Sequence, residues 1–269
     1  MDFETVLYER NGFIGIIRLN RPERMNAVIE QMYLDIRAIL AEARHDANVR
    51  NLIITGSVRK SPKGDKQAFC AGADLKKHAA GDRTPWQKRE YILLAHETTR
   101  MIYEFPKPVI VAVNGPARGA GTEMALNGDF LFMADTASIA FPETGLATCV
   151  GGGATCLLPR LVGSMRAREL IYTGRIVLGP EAVDMGLALK SVPVEQLMPE
   201  VLSFASALAE KAPISLTLTK ELIRQGPNRD METVLLTESE AILACMNTED
   251  WREGLSSFAE NRKPTFKGR

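Results

Sequence analysis

The sequence is poor in the residues that build metal centres and disulfide frameworks. It has three histidines, His45, His78 and His96, and four cysteines, Cys70, Cys149, Cys156 and Cys245, in 269 residues. No C-x-x-C pair occurs, and no histidine stands at ligand spacing from another histidine or a cysteine, so no metal is assigned. The cysteines sit in apolar or glycine-rich contexts, which predicts buried free thiols in a reducing compartment. No apolar run approaches the roughly 20 residues that cross a bilayer. The start, Met1-Asp2-Phe3-Glu4, lacks the basic and apolar regions of a secretory signal. A soluble, cytoplasmic protein without a membrane partner is expected. A dominant charge is missing too: Lys+Arg and Asp+Glu are both 33. That balance gives no overall footprint for nucleic acid. Neither G-x-x-x-x-G-K-[ST] nor G-x-G-x-x-G occurs, which removes the common nucleotide cradles.

What is present is a large apolar complement, 45% of the chain, patterned as alternating strands and helices. Thr5–Glu9 and Phe13–Leu19 read as a hairpin turning at Asn11-Gly12. A helix follows, with Ile29, Met32, Tyr33, Ile36, Ile39, Leu40 and Ala43 at helical spacing. Leu52-Ile53-Ile54 and Val109–Val113 are wholly apolar, as strands covered on both faces are. Between them lie a short strand, Ala68-Phe69-Cys70, and a helix over Trp86–Glu104 that ends before Pro106. Strand signals vanish after Val201, where four helices are predicted. The expected organisation is therefore an α/β core over residues 1–200 and a helical region over 201–269.

Two small-residue segments, each placed between a strand and a helix, could carry chemistry. Phe69-Cys70-Ala71-Gly72-Ala73-Asp74-Leu75 is one, and Asn114-Gly115-Pro116-Ala117-Arg118-Gly119-Ala120-Gly121-Thr122-Glu123 is the other. Small side chains let a ligand approach the backbone, and amides at a helix start point outward unpaired. Two such amides can bind a carbonyl oxygen as it becomes an oxyanion. Tight turns with close packing would use the same residues, so neither segment is decisive alone. Glu123, and Glu143 twenty positions later in Phe141-Pro142-Glu143, stand in apolar surroundings where an ionised group is costly. An acidic residue in a first helical turn is the structural alternative for each. Together, the pair offers one group to take a proton and one to give it. Gly151-Gly152-Gly153 reads as a loop with room for a small molecule such as water.

The combination resembles the crotonase family, also called the enoyl-CoA hydratase/isomerase family, over nearly the whole chain. The motifs that carry the resemblance are Leu19–Ala27, Ala68–Leu75, Lys107–Gly115, Gly119–Glu123, Pro142-Glu143, Pro159–Gly163, Thr173–Arg175 and Arg262–Gly268. The resemblance implies an α/β fold, the crotonase-like spiral of ββα repeats with a helical C-terminal trimerisation region, assembled as a trimer or a dimer of trimers. It implies an acyl-CoA substrate, with no separate cofactor because CoA belongs to that substrate. By motif position Ala73 and Ala120 supply the oxyanion-hole amides. Glu123 and Glu143 match the two catalytic glutamates of the hydratases, and Gly151 the glycine beside the catalytic water. Arg24, Ala71, Ala73, Asp74, Leu75 and Lys267 fall at CoA-contacting positions, Lys267 from a neighbouring subunit.

The expected reaction is reversible hydration of a 2-enoyl-CoA. The alternatives are a Δ3,Δ2-enoyl-CoA isomerase, a dienoyl or cyclic enoyl-CoA hydratase, and, from another class, an RNA-binding protein of the same fold. Three departures from the family pattern stand out. Ala120 puts a methyl group at the oxyanion-hole position, Val150 replaces a common proline, and Cys156-Leu157 replaces a frequent Gln-Arg. The family uses the last two positions around the acyl pocket.

Overall fold

A computed structural model describes residues 3–62, 64–79, 81 and 83–269; Met1, Asp2 and the side chain of His78 lie outside the described part. The hairpin forms from β1 (Val6–Asn11) and β2 (Ile14–Leu19). Asn11 still pairs with Ile14, so the turning residues are Gly12 and Phe13 rather than Asn11 and Gly12. Gly12 takes φ +58°, the left-handed conformation a two-residue turn requires.

From β2 the chain enters α1 (Glu30–His45), then β3 (Asn51–Gly56), every residue of which is buried. After β3 come a short α2 (Leu75–Ala79) and the long α3 (Pro85–Tyr103), capped by Thr84. The sequence places a strand at Ala68–Cys70, but only Cys70 pairs, in a single parallel bridge to Ala117. The neighbouring backbone is engaged elsewhere: Ala68 O accepts from the Asn26 amide group at 2.9 Å, and Phe69 N donates to Pro116 O at 3.2 Å.

Two fuller repeats follow. The first is β4 (Val109–Val113), β5 (Ala117–Arg118) and α4 (Ala120–Leu126); the second is β6 (Phe130–Ala134), β7 (Ser138–Ala140) and α5 (Ala154–Val162). Then come α6 (Ser164–Thr173), β8 (Val177–Leu178), α7 (Gly179–Asp184) and β9 (Lys190–Val192). The long strands form one sheet in the order β1-β2-β3-β4-β6-β9, and β5-β7-β8 form a second, smaller sheet. Every neighbour in the large sheet beyond β1–β2 is parallel. Parallel strands need crossovers, and the crossovers carry the glycine turns to the carboxyl ends of β3 and β4.

The large sheet is closed by α8 (Val194–Ala209), which packs on β2, β3, β4, β6 and β9. Residue 200 therefore lies inside a core helix, and the change of character comes after it. Of α9 (Pro213–Gln225), α10 (Met231–Met246) and α11 (Glu249–Ala259), the first two bury no residue and the third only Asp250 and Ser257. Ile223, Leu236 and Phe258 are 71%, 63% and 89% exposed, an apolar surface of the kind that marks an interface.

The cysteine expectation needs correction. All four are free, but only Cys70 is buried; Cys149 and Cys156 are exposed and Cys245 is half-buried. Glycine-rich context signalled a loop there, not an interior.

Candidate active site

The two glycine turns meet. Gly72, at φ +89°, packs so closely on the second turn that an added Cβ would stand 2.7 Å from Arg118 O and 3.7 Å from Ala120 N. Gly121 lies directly against the Cys70 carbonyl, where a side chain has no room. Small residues at these positions are thus what lets the two crossovers touch.

The backbone pairing fixes where each amide points. Val28 takes both bonds of a parallel bridge, donating to Gly72 O at 2.8 Å and accepting from Asp74 N at 3.0 Å. In such a bridge the residue between the two partners turns its own N–H away, so the Ala73 amide faces the opposite side. Ala120 opens α4, where the first N–H groups have no partner within the helix. Gly119, its cap, adopts φ +48° and donates to Ala140 O at 3.2 Å.

Both glutamates lie beside this junction. An added Cβ on Gly119 would stand 2.7 Å from Glu143 Oε1, so the glycine leaves the space that this carboxylate occupies. Glu143 opens a 3-10 turn after Pro142 and is only 7% exposed. Its Oε2 is buried with no hydrogen-bond partner among the described residues. Burial raises its pKa above the usual carboxylate range, its own backbone amide opposes that, and the nearby Glu123 charge adds to it. Glu123 extends from the first turn of α4, and its Oε1 accepts from the Gly151 amide at 2.5 Å. Burial raises its pKa too, and that hydrogen bond partly offsets the rise. Two neighbouring carboxyl groups with raised pKa values make a candidate proton-transfer site.

Residues that the sequence did not single out shape the site. Asn127 donates to Glu123 O and to Gly152 O, both at 2.7 Å, and so ties the glycine triplet to α4. His96 reaches from α3 over Gly151, where an added Cβ would meet its Nε2 at 2.8 Å and both Glu123 carboxylate oxygens at 3.5 Å. Tyr33, buried on α1, has its pKa pushed well up by burial and further by Tyr91, Cys70 and Glu123. The helical spacing marked Tyr33 as core; its proximity to Glu123 depends on the packing of α1, which no local pattern reveals. Cys70 lies behind the first turn, and burial raises its thiol to about 12, so it stays protonated and inert.

The expected CoA-contacting residues divide into two groups. Ala71 N donates to Met25 O at 3.0 Å, which joins the Arg24 segment to the first turn, and Leu75 is exposed at the start of α2. The Asp74 carboxylate is already engaged, accepting from Arg21 at 3.1 Å and from the Lys77 amide at 3.3 Å, so within the chain it positions α2. Lys267 is not brought to this site by its own chain. Its amide donates to Asp250 at 2.6 Å on α11, and the residue borders a cavity at the amino ends of β3 and β4.

The family model for enoyl-CoA hydratase/isomerase matches residues 9–269. The chain belongs to that family. It is 36% identical to crotonyl-CoA hydratase of Syntrophomonas wolfei over 266 residues, covering 99% of each chain. It is 33% identical to short-chain-enoyl-CoA hydratase of Clostridium acetobutylicum, covering 98% of this chain and 97% of that one. The crystal structure of enoyl-CoA hydratase from Bacillus anthracis superimposes with a TM-score of 0.92 at 37% identity, covering 99% of this chain and all of that one. The crotonase fold expected from the motifs is therefore the fold observed. Among the described residues no group of three or more His, Cys, Asp or Glu is placed to hold a metal ion. None of their helices alone is long and apolar enough to cross a membrane.

Proposed function

We propose that the chain catalyses reversible syn addition of water to a 2-enoyl-CoA, giving a 3-hydroxyacyl-CoA. The observation that carries this reading is the pair of carboxyl groups, half-buried Glu123 and buried Glu143, beside two turns that each present an outward amide. In this reading the thioester oxygen accepts from the amides of Ala73 and Ala120, which stabilise the charge that develops as the C2–C3 double bond is attacked. Glu123 takes a proton from water as its oxygen bonds to C3. The Gly151 amide holds Oε1, leaving the other oxygen for that water. Glu143 delivers a proton to C2, and its unpartnered Oε2 in a buried setting suits the protonated form of a donor.

Addition of water neither oxidises nor reduces the substrate, so the reaction calls for no redox cofactor. CoA enters as part of the substrate, with Arg24, Ala71, Ala73, Asp74 and Leu75 on its path and Lys267 reaching it from a neighbouring subunit. Assembly as a trimer or a dimer of trimers would cover the apolar faces of α9 to α11 and bring that tail to the adjoining site. A cytoplasmic location suits the free cysteines. The names of the relatives, crotonyl-CoA and short-chain-enoyl-CoA hydratase, favour a short acyl chain.

The test is incubation with a short 2-enoyl-CoA in oxygen-labelled water. Label is expected at C3 of a 3-hydroxyacyl product. Conversion of a 3-enoyl-CoA to the 2-enoyl isomer without label uptake would make the chain an isomerase instead. Light scattering that finds an active monomer would remove the assembly.

A further inference from the structure

A second concentration of one chemistry lies at the opposite end of the large sheet from the glycine turns. At the amino ends of β3 and β4, a cavity of about 190 Å³ opens between the end of α1, the start of α9 and the chain's tail. Arg44, His45, Arg50, Lys107, Lys211 and Lys267 line it, and none of its lining residues is acidic. In a chain with 33 basic and 33 acidic residues, this is a pronounced local excess of positive charge.

Two of these cations are already used by the fold. Lys107 Nζ donates to Ala43 O at 2.6 Å and Asp46 O at 2.8 Å, the carbonyls at the end of α1. Arg50 donates to Ala209 O at 2.7 Å, at the end of α8, and to Phe266 O at 2.6 Å in the tail. Cations at these carbonyls complement the negative ends of the two helices.

The other three, Arg44, Lys211 and Lys267, lack a neutralising partner, and the His45 imidazole adds a polar group to the same wall. Arg44 reaches only the Glu104 carbonyl, at 3.4 Å. The side chains of His45 and Lys211 make no hydrogen bond or ion pair among the described residues. Lys267 interacts with Glu253 only through space. Of the surrounding acids, Asp46 pairs with Arg10, Glu104 with Arg100 and Arg224, and Glu253 with Arg262. Asp250 accepts from the backbone amides of Lys267 and Gly268 at 2.6 and 2.8 Å and is the one carboxylate held against this rim by those bonds. Opposite these cations stands the amino end of α9, whose Pro213, Leu216 and Thr217 also line the space and whose dipole favours an anion. Uncompensated cations converging on a small recess from several directions match a tetrahedral dianion better than a planar carboxylate.

We propose that this cavity binds a phosphoryl group, at a site distinct from the acyl-CoA site and independent of the reaction. Lys267 is also a proposed CoA contact, so the test leaves it unchanged. Inorganic phosphate, pyrophosphate and adenosine bisphosphate are each titrated calorimetrically into the whole protein in low-salt, phosphate-free buffer, since exposed charge is screened within about 10 Å at 0.1 M salt. Saturable binding is expected. The double variant Arg44→Gln/Lys211→Gln should weaken it at least about tenfold, and the charge-conserving Lys211→Arg should retain it. Hydration by the double variant should be unchanged in the same buffer, which separates this site from the proposed reaction. Equal binding of phosphate and the nucleotide would identify a free anion. Tighter nucleotide binding, lost in the same double variant, would identify the phosphoryl end of a larger molecule. No saturable binding of any of the three, or binding that the double variant leaves intact, would overturn the proposal.

Discussion

The α4 turn around Glu123 and the short turn around Glu143 hold the same side chain by different means. Glu123 is anchored: the Gly151 amide holds one oxygen, and Asn127 fixes both its backbone and the loop that supplies that amide. Glu143 is merely accommodated, with one oxygen in the space left by Gly119 and the other buried without a partner. Hydrogen bonding to the ionised form favours a carboxylate, whereas burial without partners favours the neutral acid. The difference supports the proposed roles, with Glu123 as the base and Glu143 as the acid.

The sharpest way to break that comparison is to replace each glutamate by its amide, which keeps the size and removes proton exchange. Glu123→Gln and Glu143→Gln should each lose about 10²–10⁴-fold in hydration turnover, the usual range for a general acid or base. If Glu123→Gln keeps most of its turnover while Glu143→Gln loses it, the base role fails and an isomerase-type division remains. The oxyanion hole comes next. Ala120→Pro removes an amide and should cost about 10²–10³-fold, while Ala120→Gly stays near wild type. A folded, CoA-binding proline variant with undiminished turnover would refute the assignment.

The anchored side can be probed more gently. In Gly151→Ala the new methyl meets His96 Nε2 at 2.8 Å, so either the imidazole moves or the loop carrying the amide does. Turnover should fall about tenfold through misplacement of Glu123, and adding His96→Ala should recover much of it. A double variant no better than the single one would show that the loop, not the histidine, sets the geometry.

The smallest effect is one of stability. Because the native state raises the pKa of Glu143, folding favours its protonated form. The resulting penalty is absent below the unfolded value of about 4.3, grows as pH rises through the raised value, and is full above it. Glu143→Gln should therefore melt higher than wild type near neutral pH, with the gap closing in acid. A gap independent of pH would mean that the carboxyl group titrates as though exposed.

Residue patterns alone were enough for the amino-terminal hairpin, the apolar strands β3 and β4, the long helices α1 and α3, the helical C-terminal region and the family. Apolar runs such as Val109–Val113 need cover on both faces, and proline at the end of α3 leaves no other local solution. The two glutamates and the two small-residue turns were also legible, because burying charge and excluding side chains are visible as residue types. Tertiary structure decided what depends on distance along the chain. It reduced Ala68–Cys70 to one bridge by giving the neighbouring backbone to Asn26 and Pro116, and it left Cys149 and Cys156 in solvent. It also carried α8 across residue 200 into the core, where an apolar helix can close the sheet. His96 and Tyr33 came beside Glu123 through the packing of α3 and α1, and five lysines and arginines met at one end of the sheet from four separate segments. Local periodicity encodes which face of an element is apolar; it does not encode which other element that face will meet.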